Sequence, residues 1–293
     1  MVEMKSRNYL KIIFHVILVI ASLSAVIPMF VLLSTSLSVE DDVIKNGYPL
    51  IPRKLSLMAY RSIFADPSEL LNAYKITISV TLIGSVISLL IISMVAYVIS
   101  RPDYKYRRAI SFYIFFTMLF NGGLVPTYIL IAHWMHLKDN MLAMVIPLLV
   151  NAYNILLMKG FLTSIPSAIR ESAKIDGASE FKTFVRIILP VSKPALATVG
   201  LLLLLAYWND WYQCMLYIDN SKLYNLQYML VRTLQNYEFL NTAEIRKMLV
   251  NMQSPPVLTA RMAMSVIAAG PMLIVFPFFQ KYFVKGIVMG SLK

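Results

Sequence analysis

Six long stretches of this 293-residue chain are free or nearly free of Asp, Glu, Lys and Arg. A helix needs about 20 mainly apolar residues to cross the hydrocarbon core of a bilayer. The candidates are Ile12 to Ser34, Ile76 to Ser100, Ala109 to Leu137 with a break near Asn121-Gly122-Gly123 and Pro126, and Met141 to Met158. A fifth begins after Pro194, meets Asp210 and continues to about Ile218; the sixth is Met262 to Gln280. Composition agrees: 58% of residues are apolar and 14% charged, against about 45–50% and about 25% in a soluble domain. The expected fold is all-α, a polytopic membrane protein with six transmembrane helices. The first stretch follows Lys5, Arg7 and Lys11, as a signal peptide would. Its apolar run exceeds the roughly 7–15 residues of a cleavable core, so it reads as a retained anchor.

Six spans put both termini on one side, and the positive-inside rule selects that side. With the termini in the cytoplasm, the inner segments carry sixteen basic residues against five acidic ones (Glu3, Asp103, Glu171, Asp176 and Glu180). Nearly all of the net charge of +12 then lies inside. Orientation and anionic lipid headgroups account for it, with no nucleic acid as partner. Asp41, Asn236 and the long segments 35–75 and 219–261 would face outward. No internal repeat is present, and residues 1–293 read as a single transmembrane domain.

The most informative stretch is the inner loop 165–190, which reads as two short helices around a glycine. Pro166 and Ser167 start the first and Gly177 ends it; the second begins at Ser179 and closes at Pro190. Phe181, Phe184, Val185 and Ile188 recur at i, i+3, i+4, i+7, which predicts an apolar stripe.

Within this loop, Glu171-Ser172-Ala173 is followed by Gly177 and then by Ile187, Leu189 and Pro190. The pattern resembles the coupling-loop signature of the membrane subunits of binding-protein-dependent ABC importers: Glu-Ala-Ala, three residues, Gly, nine residues, Ile, one residue, Leu-Pro. Ser172 in place of the first Ala is the one departure. Ile175-Asp176-Gly177-Ala178-Ser179, Trp208-Asn209-Asp210 and the tail from Gln280 to Gly290 are similar to the carbohydrate branch, the MalG-like and LplC-like permeases. Within it, the likeness points to permeases for longer or acidic oligosaccharides, alginate importers among them.

That resemblance implies a MetI/MalG-like fold in the bacterial cytoplasmic membrane, a second homologous permease, two ATPase subunits, an extracytoplasmic solute-binding protein and an oligosaccharide substrate. It implies no cofactor on this chain, ATP and Mg²⁺ being held by the ATPases, and force transfer in place of bond chemistry. Glu171, Ser172, Ala173, Asp176, Gly177, Ile187, Leu189 and Pro190 would couple to an ATPase, and the tail from Gly286 to Lys293 would insert between the two ATPases. Lys222, Tyr224, Tyr228 and Arg232, in the outer segment that also holds Tyr237, would meet the binding protein.

No catalytic constellation is present, so no enzyme activity is expected. His133 and His136 are spaced i, i+3 but flank Trp134 at a membrane border where such residues are ordinary, and no third ligand completes a metal set. Cys214 is the sole cysteine and forms no intramolecular disulfide. Tyr207, Trp208, Trp211, Tyr212 and Tyr217, with Asn209, Asp210 and Gln213, have the chemistry to stack and hydrogen-bond a pyranose; they could equally be an aromatic belt at the headgroups. Asp210 either touches substrate or caps the wet end of span five. An ion-gradient-driven carrier is the rival reading, though such carriers usually keep acids or histidines inside the membrane.

Overall fold

A computed structural model of the chain describes residues 2–65, 67–240 and 256–291, with side chains for 11–65, 67–236 and 256–280. Among these residues the structure is helical, the one β contact being an isolated bridge between Ser38 and Leu55. In order, the helices are α1 (Val2–Ser36), α2 (Glu40–Asn46), α3 (Met58–Ile63) and α4 (Pro67–Ser100). There follow α5 (Arg107–Leu119), α6 (Leu124–Trp134), α7 (Leu142–Leu148), α8 (Ala152–Thr163) and α9 (Ser167–Ile175). The last are α10 (Glu180–Val191), α11 (Lys193–Trp208), α12 (Tyr212–Tyr217), α13 (Leu226–Leu240) and α14 (Leu258–Ser291).

The six expected spans resolve into two kinds. Three helices, α1, α4 and α14, are long and apolar enough to cross a membrane alone. At 1.5 Å per residue α4 reaches about 50 Å, more than the ~30 Å hydrocarbon core. The other three are bent pairs: α5 with α6 at 113°, α7 with α8 at 52°, and α10 with α11 at 83°. The third stretch therefore does not run straight from Ala109 to Leu137. Span five also stops short of the expected Ile218, because α11 ends at Trp208 and the chain turns before α12.

An Asx residue satisfies the backbone at each of several breaks. The amide of Gly123 donates to Asn121 Oδ1 (2.9 Å), that of Leu142 to Asn140 Oδ1 (2.9 Å), and that of Asn154 to Asn151 Oδ1 (3.1 Å). The amide of Gln213 donates to Asp210 Oδ1 (3.3 Å), so Asp210 caps α12. Helix starts otherwise leave their first amides without intrahelical partners.

The chain packs as two compact units, Met1–Leu70 with Arg232–Gly270, and Leu71–Val231 with Pro271–Lys293. In the first unit, Glu40 takes the opening amides of α14: Val257 (3.0 Å), Leu258 (2.7 Å) and Thr259 (2.8 Å), with the Thr259 hydroxyl at 2.7 Å. A carboxylate at a helix N-terminus also meets the positive end of the macrodipole. Ala59 packs against Ala260 and Ala263, and Tyr60 pairs its hydroxyl with Ser36 Oγ at 2.9 Å.

The second unit holds two apolar clusters, and α4 and α11 contribute to both. One gathers Ile92, Ala96, Tyr97, Ile155, Met158, Phe184, Ile188, Ala195, Val199 and Leu203. The other gathers Ile76, Val80, Ile131, Ala143, Met144, Val145, Tyr207, Cys214 and Tyr217. Where α4 crosses α11, the Tyr207 ring lies over Gly84, whose missing Cβ would fall 2.5 Å from ring carbons. The Tyr207 hydroxyl donates to the Val145 carbonyl (3.0 Å) and pairs with Ser88 Oγ (3.0 Å).

Gly84→Ala should force Tyr207 away and destabilise the purified protein by about 1–3 kcal/mol, the usual cost of overpacking. Gly160→Ala, in α8 with nothing within 4 Å of the added carbon, should leave the melting temperature unchanged or raised. Equal melting temperatures for the two variants would remove this crossing as a determinant of stability.

Candidate functional site

The loop 165–190 folds as two helices about a glycine. Gly177 adopts φ +69°, a conformation that costs other L-residues roughly 1–2 kcal/mol. Its amide donates to the Lys174 carbonyl (3.1 Å) and that of Ala178 to the Ala173 carbonyl (3.0 Å), the paired bonds of a Schellman ending. Ser179 then caps α10 by accepting from the Lys182 amide (3.3 Å).

The loop buries only part of the face its sequence predicts. Thr183, Phe184 and Ile188 are buried, whereas Phe181 is 68% and Val185 41% exposed. Phe184 and Ile188 of the expected stripe are thus buried and Phe181 and Val185 are not: only one edge of the apolar stripe meets the rest of the unit, and a π-helical turn over Phe184–Ile188 lengthens the local repeat. Glu171, Ser172, Asp176, Gly177 and Pro190 are exposed, and Ile187 and Leu189 are half-buried. Ala173 faces the chain itself, 3% exposed, so it seats the helix and leaves no surface for a partner. Ile175, which opens the stretch similar to the carbohydrate branch, is 86% exposed at the tip of α9.

A small polar network holds this loop to the end of α4. Arg101 Nη1 lies 2.6 Å from Glu180 Oε2 and a second arm of Arg101 pairs with Asp103. The Tyr97 hydroxyl donates to Glu180 Oε2 (3.1 Å), and its ring packs on Phe184 with centroids 5.2 Å apart. The hydrogen bond from Arg101 holds the Asp103 carboxyl below the usual aspartate range and pushes the Arg101 guanidinium further up. These groups, with Arg170 and Glu171, line a cavity of about 230 Å³. In the sequence Arg101 counts only as one of the sixteen inner basic residues, because a basic residue after an apolar run signals where a span ends and not which acid it pairs with.

The aromatic cluster of span five divides. Tyr207 and Trp208 are buried, 1% and 4% exposed, and Tyr207 is committed to the crossing with α4. Tyr217 is buried too, stacked on Tyr128 with centroids 5.6 Å apart. Asn209, Trp211 and Tyr212 remain exposed around the half-buried Asp210. The Asp210 carbonyl accepts from Asn225 Nδ2 (2.5 Å), while Oδ2 is buried without a hydrogen-bond partner in the chain.

The segment expected as an outer loop from 219 contains the helix α13, and residues 241–255 and the Tyr237 side chain lie outside the described residues. Its start is tied down by Asp139, a left-handed residue (φ +56°) whose Oδ1 accepts the amides of Asp219 (2.7 Å) and Asn220 (2.8 Å). The Asp139 amide donates to the Tyr217 carbonyl (2.9 Å), Lys138 pairs with Asp219 (2.8 Å), and Asn72 Nδ2 donates to the Lys222 carbonyl (2.6 Å). Tyr224 and Tyr228 meet edge to face at 4.9 Å and are half-buried; Lys222 and Arg232 are exposed. The described part of the tail continues α14 to Ser291, and the side chains beyond Gln280 are outside the described residues.

The family model for the binding-protein-dependent transport system inner membrane component matches residues 89–289, from mid-α4 through the loop to the end of α14. The chain belongs to that family. It is 35% identical over 290 residues to the polygalacturonan/rhamnogalacturonan transport system permease protein YtcP of Bacillus subtilis (strain 168), covering 99% of this chain and 100% of that one. Protein LplC of the same organism is 33% identical over 270 residues, 92% of this chain and 89% of its own. A chain in the crystal structure of a bacterial ABC transporter involved in import of the acidic polysaccharide alginate superposes with a TM-score of 0.80 at 32% identity, over 95% of this chain and 98% of that chain. The chain is thus an inner membrane transport component with membrane-spanning helices, as its apolar stretches suggest.

The Asp139 clamp has a defined pH response. The amides of Asn220 and Asp219 hold its carboxyl below the ordinary aspartate value, so the clamp is intact at neutral pH and is lost as pH falls through that depressed value. The protection factors of the Asp219 and Asn220 amides, their exchange rates taken relative to the intrinsic rate at each pH, should be unchanged from pH 7 to 5 and fall only below about 3.9, the unperturbed value. Asp139→Ala should give the low protection factors at every pH. Protection that survives in this variant would show that the clamp is not what holds the segment.

Proposed function

We propose that this chain is one permease subunit of an ATP-driven importer in the bacterial cytoplasmic membrane, with both termini inside, moving an oligosaccharide handed over by a solute-binding protein. A second permease and two ATPase subunits complete the assembly; ATP and Mg²⁺ belong to the ATPases and this chain has no active site of its own. An acidic saccharide is favoured, since YtcP is named for polygalacturonan and rhamnogalacturonan transport and the alginate importer for an acidic polysaccharide.

The observation that carries this reading is the coupling loop. Buried Ala173, Thr183, Phe184 and Ile188 anchor it, while Glu171, Ile175, Asp176 and Phe181 stand in solvent on the opposite side. Two large apolar side chains exposed beside two carboxylates suit a protein groove that carries cations, with Glu171 facing a basic residue of the ATPase. Ser172 is small enough to allow close approach, Gly177 makes the turn, and Ile187, Leu189 and Pro190 join the docked loop to span five.

For the sugar, the reading narrows to Asn209, Asp210, Trp211 and Tyr212. Trp211 and Tyr212 meet edge to face at 5.9 Å and offer exposed rings for a pyranose face, and the exposed Asn209 side chain beside them would meet its hydroxyls, while Asp210, whose Oδ2 is buried, supports the rim. Tyr207 and Trp208 support that rim from behind. On the outer side, Lys222, Tyr224, Tyr228 and Arg232 would receive the binding protein. The Gly286–Lys293 tail would reach the ATPases.

Docking is tested by co-purification. Glu171→Ala should weaken retention of the ATPases by about 2–5 kcal/mol, the cost of truncating one partner of a buried charge pair. Gly177→Val, a β-branched residue at positive φ, should do likewise while the protein still inserts. Wild-type retention and uptake in both variants would remove the docking assignment.

Topology is tested by thiol labelling in a Cys214→Ser background. Cysteines placed at Asp41 and Asn236 should react with an impermeant reagent from outside, and one at Glu171 should not. Outside labelling at Glu171 would reverse the arrangement.

A further inference from the structure

The second coupling helix packs Phe184 and Ile188 into the apolar cluster of its unit and is tied at both of its ends. At its C-terminal end α10 runs into α11 through an 83° elbow at Ser192, whose amide is shared between the Ile188 (2.9 Å) and Leu189 (3.2 Å) carbonyls. At its N-terminal end Glu180 is bound by Arg101 and Tyr97 from the end of α4. The middle of α4 and the far end of α11 are in turn locked together where Tyr207 lies on Gly84 and pairs with Ser88. From that crossing to the loop each helix runs about 20 Å. Two long arms and the short α10 thus make a closed triangle with three joints.

A triangle with all sides rigid cannot shear. If the joint at Glu180 opens, α10 keeps only its apolar face and the elbow at Ser192, and a push on α9 and α10 can be absorbed by sliding of that face and bending of the elbow. We infer that Arg101 and Glu180 are positioning residues that make α4 and α11 move as one lever when the coupling loop is displaced. This rests on the docking reading given above and adds to it a route of force into span two as well as span five.

The joint is built for this. The Arg101 side chain is 19% exposed and held from a second direction by Asp103, with its guanidinium 6.0 Å from the Tyr97 ring centre. Tyr97 is itself 6% exposed and packed on Phe184. Glu180 therefore meets a donor pair whose position is already set, while its own side chain, 54% exposed, remains free to let go. Arg170, Glu171 and Lys174 are the other charged groups lining the adjoining cavity.

The test uses the assembled complex with ATPases bound, in lipid nanodiscs, with nitroxides on cysteines replacing Lys105 and Lys182 in the Cys214→Ser background. Distances are measured by pulsed electron spin resonance with and without ATP and vanadate. With Arg101 and Glu180 in place the distance should be single, narrow and the same in both states. Arg101→Gln and Glu180→Gln should keep the ATPases and their basal hydrolysis, yet the distance should broaden and shift by about 2 Å or more on trapping, the scale of helix movements at such interfaces. R101E/D103N/E180R, which restores the pair with reversed polarity and removes the carboxylate that would repel it, should return the narrow distance. A shift on trapping in the protein with the native pair, a narrow state-independent distance in both single variants, loss of the ATPases from either, or no recovery in the triple variant would each overturn the inference. Failure of the docking reading is separate and visible beforehand, as ATPases that stay bound in Glu171→Ala and Gly177→Val.

Discussion

Lipid offers no hydrogen-bond partners, so every interruption of a membrane helix has to be satisfied by the protein itself. That constraint explains where this chain bends. Asn121, Asn140, Asn151 and Asp210 stand at breaks near or between apolar helices, and in each case a side-chain oxygen takes the backbone amide of the next segment. Asn220 and Asn225 do the same for Lys222 and Tyr228 in the segment after α12. Short Asx side chains reach amides two or three residues on at little entropic cost. Glu40 applies the rule across a long sequence separation, holding the start of α14 from the start of α2.

With the bends satisfied locally, α4 and α11 can act as the frame of the second unit. The buried face of α4 carries Thr77, Thr81, Gly84, Ser85 and Ser88 at helical spacing. Small residues let helices approach closely where no hydrophobic drive separates protein from lipid. Thr77 makes a further connection, since its hydroxyl donates to Ala73 (2.8 Å) and accepts the amide of Leu226 (2.8 Å), fixing the start of α13. The crossing at Tyr207, the tether at Thr77 and the network at Arg101 are spaced along one helix, so the segment at 219–226 and the coupling loop share a common support.

Most of the coupling loop is legible in its residues. Gly177 sits at the positive φ that its position between two short helices demands, and Ser179 is the cap its type suggests. The buried face is not legible in the same way. Recurrence at i, i+3, i+4, i+7 marks an apolar stripe, and its Phe184 and Ile188 are buried, but which edge of the stripe stays in solvent depends on the neighbouring helices, and Phe181 and Val185 are left exposed. The aromatic cluster fails for another reason. Tyr207, Trp208, Trp211 and Tyr212 have the same chemistry, and what sends two inward and leaves two in solvent is the end of α11 at Trp208.

The sequence by itself determined that the chain is helical and membrane-embedded, where its apolar stretches lie, and the position of the coupling turn, because each depends on local hydrophobicity, charge or backbone preference. Only the tertiary structure decided which of those stretches run straight and which bend, since the 83° elbow at Ser192 has no side-chain cap and the direction of each segment follows from its packing against other helices. It also decided the pairing of Arg101 with Glu180 and of Asp139 with the amides at 219 and 220. Such contacts join residues about 80 positions apart, and no periodicity along the chain records a partner chosen by the packing of helices in space.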